Sequence, residues 1–543
     1  MSDLKVYIVT LKSRDDLDDF YEDMETPGGN LYIPNRAVEV ADRRPISRST
    51  HYYLTSEEAE LLRNDPRVLS VELNFKDAGI IARPVYIQSS DSWDKSSTND
   101  SDMNNWGLLR CYLGQQYSNW GSNGTPAISG TIEINQSGYN VDVVIVDGHF
   151  NPQLSELQKN TNGTGGTRVN QYNWFQHNDP PGIYNYQPYV DPTNPNITIQ
   201  NNHGAHVAGI AAGNSQGWAR NANIYNISPY DPAITANVFD YIRAWHASKP
   251  INPATGRKNP TIINNSWQLS YTFTVSSITQ VRYRDTLNYG PFTTAAQLNN
   301  LGIFPFPGNV YVPIPARSFA IDADIQDCVL DGMIVVGAAG NDSMNIANPG
   351  EQDYINYLIS SGFAYNYNVG SSPGSSTGNN PNIPGSITVG AIDTTTTERK
   401  ASYSNCGTRV NLYAPGTNIM SCLNSDDDPA VADPRGVGYL GKKNGTSMAS
   451  PQVTGVLACL LQVYPQINQQ QAIEYLNAIC NQNQILNILP ATPSDVFSLQ
   501  DGPNVYLTYK NERNAVGNTY PNNSYWIRPT SGAVWPRTNY RKS

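Results

Sequence analysis

Apolar residues fall into short runs divided by polar, turn-rich stretches, and their spacing predicts both strands and helices. Val6-Tyr7-Ile8-Val9-Thr10-Leu11 predicts a strand, followed by an acidic helical stretch over residues 15–24. Thr55-Ser56-Glu57-Glu58 puts Glu three residues after Thr, the spacing at which each side chain can bond the other's backbone N–H and open a helix. That helix carries Ala59, Leu61 and Leu62 and should stop before Pro66, after which residues 68–73 alternate as a half-buried strand. Residues 1–80 therefore predict a small α+β domain.

Residues 81–105 turn into Ser, Asp, Asn and Thr, the composition of an exposed linker and a region open to processing. Residues 106–484 alternate apolar strands with helices, which predicts an α/β domain: a mostly parallel β-sheet with helices on both faces. Residues 141–146 and 333–338 are almost continuously apolar, as buried parallel strands should be. Long Asn-, Tyr-, Pro- and Gly-rich stretches interrupt the pattern at 151–202, 268–315 and 343–385 and read as insertions. Residues 485–543 form a C-terminal extension, readable as a small β addition or an extended arm.

Composition narrows the function. The 543 residues carry a net charge of −11 with no basic block, which argues against nucleic-acid binding. No apolar run approaches the ~18 residues of a membrane span. The N-terminus, Met1-Ser2-Asp3-Leu4-Lys5-Val6, lacks the basic and apolar regions of a secretory signal, so an intracellular or virion-associated protein is expected rather than a secreted one. The six cysteines are too sparse for a disulfide scaffold, and Cys459 reads as a buried thiol. Neither a cofactor nor a structural metal is expected.

Four motifs carry candidate chemistry. Val144-Ile145-Val146-Asp147 ends a buried strand in an acid, where functional groups of open α/β sheets collect. Asn202-His203-Gly204-Ala205-His206-Val207-Ala208-Gly209 begins a tightly packed helix from whose first turn a His can project. The two His lie three apart, and a helical zinc-protease motif would want four with an intervening Glu. Val335-Val336-Gly337-Ala338-Ala339-Gly340-Asn341-Asp342 delivers an uncharged amide beyond a strand, a suitable donor to a developing oxyanion. In Asn444-Gly445-Thr446-Ser447-Met448-Ala449-Ser450-Pro451, Gly445 permits a sharp turn and Ser447 stands at a helix mouth, where free N–H groups favour negative charge. Pro451 is expected within the first turn, where a missing N–H does least harm.

The order Asp147, His203, Asn341, Ser447 resembles that of the subtilisin-like serine peptidases, whose triad runs Asp, His, Ser. Thr261-Ile262-Ile263-Asn264-Asn265-Ser266, residues 386–391, Ala414-Pro415-Gly416 and Trp106-Gly107-Leu108-Leu109-Arg110 add to the likeness over roughly 106–480. The resemblance implies a serine endopeptidase acting on a polypeptide substrate. Ser447 would be the nucleophile, His203 its base and Asp147 the acid that orients the base. Asn341 would complete the oxyanion hole, and Ser266 and Gly340 would line the substrate. The N-terminal domain resembles the family's inhibitory propeptide, a β-α-β-β-α-β unit, which implies a self-processing zymogen cut within 75–105.

The sequence also departs from the family. Gly148-His149 follows the acid where Thr or Ser and then Gly are usual, so a hydroxyl that would support Asp147 is missing. His149 is open to bracing the site, binding metal or hindering the triad. Trp267-Gln268 replaces the usual Leu-Gly-Gly of the substrate-pairing strand, so the resemblance does not by itself imply the family's preference for apolar P1 residues. Pro451-Gln452 stands for Pro-His, and Gln153 and Asn411 stand where calcium ligands are frequent. An alternative function is a catalytically idle structural or binding protein of a virus particle or other assembly, working through the Tyr- and Asn-rich loops. A further alternative, a secreted glycoprotein protease, leans on sequons such as Asn123, Asn162 and Asn226.

Overall fold

The computed structural model describes residues 4–32, 38–44, 47–84, 106–114, 136–160, 162–170, 189–190, 198–199, 202–230, 235–306, 308, 310–376, 383–393, 398–426, 430–487 and 494–509. Most of the polar stretch before Trp106 and the tail beyond residue 509 lie outside the described residues.

The α/β expectation holds. Among the described residues, eight parallel strands run through a nine-stranded sheet in the order Val505–Tyr506, Leu412–Pro415, Ile387–Ile392, Ile334–Ala338, Thr261–Asn265, Asp142–Val146, Asn223–Ile227, Val169–Asn170. Side chains alternate between faces along each strand. Val143, Ile145, Ile262, Ile334 and Val336 therefore enter one core with the helices Asn202–Ala212 and Thr446–Val463. Val144, Val146, Ile263 and Val335 enter the other, under the helices Val238–Ser248 and Phe319–Leu330. Double-sided burial is why these strands read as continuous apolar runs.

Two of the long insertions find each other. Ile278–Tyr283 pairs antiparallel with Tyr357–Ser360 in a separate four-stranded sheet, with its own core around Val281, Leu298 and Leu358. The beginning of the C-terminal stretch adds an edge to the main sheet, Tyr506 pairing with Tyr413.

The N-terminal residues form strand Lys5–Leu11, helix Leu17–Glu25, strands Glu39–Arg43 and Ser49–Leu54, helix Ser56–Arg63 and strand Val68–Leu73, in the order β-α-β-β-α-β. Both halves of the Thr55–Glu58 capping box are made. This unit sits on the helices Val238–Ser248 and Phe319–Leu330. Glu72 accepts from Ser318 Oγ at 3.0 Å, Phe319 N at 3.1 Å and Ala320 N at 3.2 Å, satisfying donors that open the second helix. Arg44 is buried between Asp240, at 2.6 Å, and Asp324, at 2.8 Å. Residues 81–84, expected as the start of a linker, instead form the strand Ile81–Pro84, because Trp267–Thr274 offers them an open edge: Ile81 pairs with Ser270 and Pro84 with Trp267.

Candidate active site

The site lies at the carboxyl ends of four neighbouring parallel strands. Val146 is in register with both Ile227 and Asn265, and Asn265 with Gly337. The residues just beyond, Asp147, Ser228-Pro229-Tyr230, Ser266 and Gly340-Asn341, therefore converge although they are far apart in the chain.

Asp147 and His203 are both buried, and His203 Nδ1 lies 2.9 Å from each carboxylate oxygen of Asp147. His203 occupies the second position of its helix, which packs closely on the sheet: a Cβ on Gly204 would fall 2.1 Å from the Gly148 carbonyl oxygen. Only glycine lets the helix start there, which accounts for the small residues after the His. The same helix packs against Thr446–Val463, which carries Ser447.

Gly445 precedes that helix at φ 147°, a backbone region that residues with a Cβ rarely adopt. Ser447 is thus the second helical residue. Its Oγ donates to the Ser266 carbonyl at 2.9 Å, and Ser266 Oγ donates to the Ser447 carbonyl at 3.1 Å. Pro451 is not in the first turn, as expected from sequence, but is the sixth helical residue. Its missing N–H would have bonded the carbonyl four residues back, which belongs to Ser447. That carbonyl is left for Ser266.

Asn341 Oδ1 accepts from both Thr446 N and Thr446 Oγ1 at 2.9 Å, which fixes the amide's orientation. Its Nδ2 is buried and has no hydrogen-bond partner among the described residues. A buried donor left open is costly in a structural amide and appropriate in one that meets a transient anion. Gly340, at φ 104°, turns the chain so that its N–H reaches Thr446 Oγ1 at 3.1 Å. Beside it lies Gln268, whose Nε2 is 3.4 Å from Asp342 Oδ1; a Cβ on Gly340 would meet Gln268 Oε1 at 2.7 Å. Trp267 points the other way, into the core under Phe319–Leu330.

His149 braces the neighbouring strand. Its Nδ1 meets Asn226 Oδ1 at 3.0 Å, while Asn226 Nδ2 donates to the carbonyls of Ile145 and Asp147, each at 3.1 Å. Burial pushes the His149 imidazole below its usual range. Asn226 is fully buried, so the sequon there is not a glycosylation site. Tyr230, whose hydroxyl donates to Asp147 Oδ1 at 3.0 Å, and Thr446, which orients Asn341, were not singled out by the sequence. The only signal for Tyr230 was its place just past a strand end.

The frequent calcium position at Asn411 is occupied by protein contacts: Asn411 Oδ1 accepts from Thr388 N at 2.7 Å. Among the described residues no group of three or more His, Cys, Asp or Glu could hold a metal ion. All six cysteines are free and buried. No helix of the described residues is long and apolar enough to cross a membrane.

A buried carboxylate, an imidazole bound to it and a serine at a helix mouth are thus carried by the carboxyl-end side of one parallel sheet and the helices packed on it. The chain belongs to the subtilase family, whose model matches residues 138–489. It is 39% identical over 152 residues to the extracellular protease of Xanthomonas campestris pv. campestris, covering 28% of this chain and 20% of that protein. It is 28% identical over 181 residues to subtilisin amylosacchariticus of Bacillus subtilis subsp. amylosacchariticus, covering 33% and 36%. The chain thus spans a fifth to little more than a third of these relatives' length. Among solved structures, fervidolysin from Fervidobacterium pennivorans, a keratinolytic enzyme related to subtilisin, matches with a TM-score of 0.48 and 19% identity over 89% of this chain and 58% of that one.

Proposed function

We propose that the protein is a serine endopeptidase in which Ser447 attacks the peptide carbonyl and His203 takes the serine proton and returns it to the leaving amine. Asp147 holds the imidazole in the tautomer with Nδ1 protonated and stabilises the imidazolium. The Asn341 amide and the Ser447 backbone N–H bind the oxyanion. The observation that carries this reading is the open, buried Nδ2 of Asn341, held at the helix mouth of Ser447 by Thr446, together with the 2.9 Å contacts between His203 and Asp147.

A self-processing zymogen is part of the same proposal. The antiparallel pairing of Ile81–Pro84 with Trp267–Ser270 supports it, since a substrate strand would lie along that edge. The Glu72 and Arg44 contacts support an N-terminal domain that docks as a partner of residues 106–484. Relatives named extracellular protease weigh against an intracellular or virion-associated location, and the proposal does not include one.

Labelling by a fluorophosphonate probe tests the activity. Wild-type protein should be labelled, whereas Ser447→Ala and His203→Ala should not. Labelling that persists in Ser447→Ala, or none in wild type, would leave the idle structural protein as the better account.

A further inference from the structure

We propose that Tyr230 is a positioning residue for the acid of the triad, supplying from the adjacent strand the hydroxyl that residue 148 cannot. The inference rests on the reading of Asp147, His203 and Ser447 given above. Tyr230 Oη donates to Asp147 Oδ1 at 3.0 Å, and the same oxygen accepts the Gly148 N–H at 2.7 Å. Gly148 offers that backbone donor and no side chain, so Tyr230 is the side-chain hydroxyl that reaches the carboxylate among the described contacts.

Sheet geometry explains why a residue 83 positions away arrives there. The strand Asn223–Ile227 is parallel to Asp142–Val146 with Ile227 beside Val146, and Asp147 N donates to the Ile227 carbonyl at 2.9 Å. Beyond that bond the chain turns through Pro229, whose carbonyl accepts from Thr235 Oγ1 at 2.6 Å. Tyr230 packs on the core beneath and crosses the end of the neighbouring strand with its hydroxyl at the acid. Asn226, on the same strand, holds the Asp147 carbonyl. The strand Asn223–Ile227 and the turn that follows it thus fix both the backbone and the carboxylate of Asp147.

A neutral hydroxyl donating to a buried carboxylate makes a charge-assisted hydrogen bond. It locks the rotation of the carboxylate toward His203 Nδ1 and takes up part of its negative charge. Two consequences separate this role from mere packing. Without the phenol the carboxylate is less well aimed, so the step at Ser447 slows while substrate binding does not. The carboxylate also keeps more charge and holds the imidazolium more tightly, so the variant loses its free base to protonation at a higher pH than the wild type does.

The test uses full-length Tyr230→Phe, which keeps the ring and loses the hydroxyl. Its rate of inactivation by a fluorophosphonate should fall about 10- to 100-fold, as expected for losing a hydrogen bond to a charged group. With a peptide substrate kcat should fall while KM stays the same, and the acid limb of the pH–rate profile should move to higher pH. A wild-type inactivation rate with an unmoved acid limb overturns the proposal for Tyr230. Failure of the underlying reading is distinguishable, because wild type would then not be labelled or Ser447→Ala would be labelled equally.

Discussion

Ser266 and Ser447 hold each other by reciprocal hydrogen bonds: each hydroxyl donates to the other's backbone carbonyl, at 3.1 and 2.9 Å. The pairing fastens the first turn of the Thr446–Val463 helix to the end of a central strand. It depends on Pro451, which lacks the N–H that would otherwise occupy the Ser447 carbonyl. Ser266 Oγ is itself oriented by Asn264 Nδ2 at 2.9 Å.

Ser266→Ala should leave the Ser447 carbonyl buried without its partner, at a cost of about 1–3 kcal/mol. Chemical denaturation should show a lower midpoint at an unchanged m-value. Stability equal to wild type would mean that the tether contributes nothing and that a water replaces it.

Asn341→Ala removes the open amide. Turnover should fall by ~100-fold or more with little change in KM, the pattern of an interaction made only in the transition state. Steady-state kinetics on one peptide decide it. A rise in KM at constant kcat would assign Asn341 to ground-state binding instead.

Processing should occur just beyond the strand Ile81–Pro84. Pro84 is opposite Trp267, one residue short of Ser266, and the Ser266 carbonyl accepts from Ser447 Oγ. The expected scissile bond is Val85–Tyr86, so N-terminal sequencing of the purified enzyme should begin at Tyr86, and Ser447→Ala should remain uncut. A mature N-terminus elsewhere would show that the pairing is not a substrate register.

Acid should loosen the N-terminal domain. Burial first, and the Arg44 guanidinium second, push the imidazole of His51 down to about 4, against an opposing pull from Asp42. The folded domain therefore prefers neutral His51. The stabilisation is fully present above the ordinary value of 6.5 and is lost as pH falls from there toward about 4, by about 3 kcal/mol at most. Hydrogen exchange of uncut Ser447→Ala protein at pH 7 and 4.5 measures it, and adding His51→Gln should flatten the dependence. That comparison separates His51 from Asp240, whose carboxyl burial pushes up to about 6. Equal pH sensitivity with and without His51 would remove it as the cause.

Much of the fold was legible from local pattern. Continuous apolar runs marked Asp142–Val146 and Ile334–Ala338 as strands covered on both faces, and Thr55 with Glu58 marked a helix start. Pro451 stands beyond the first turn rather than within it because the helix starts at Thr446, directly after the turn at Gly445, and Pro451 is its sixth residue. The insertions and the start of the expected linker were opaque for another reason: Ile278–Tyr283 and Ile81–Pro84 are strands only because distant edges accept them.

The sequence by itself determined the chemistry available: an acid ending a buried strand, a His opening a small-residue helix, an amide past a strand and a Ser after a glycine turn, in one order. These are local arrangements, encoded in neighbouring residues. Only the tertiary structure decided how they are aimed. Asn341 points an open donor because Thr446 pins its oxygen, the Ser447 carbonyl is tied to Ser266 because Pro451 releases it, and Asp147 receives its hydroxyl from Tyr230. The first two join the end of a parallel strand to the first turn of the Thr446–Val463 helix, the third joins the ends of two paired strands, and all connect residues tens to hundreds of positions apart. Hydrophobic periodicity carries no record of such partners, since it reports which side chains are buried and not which polar groups meet.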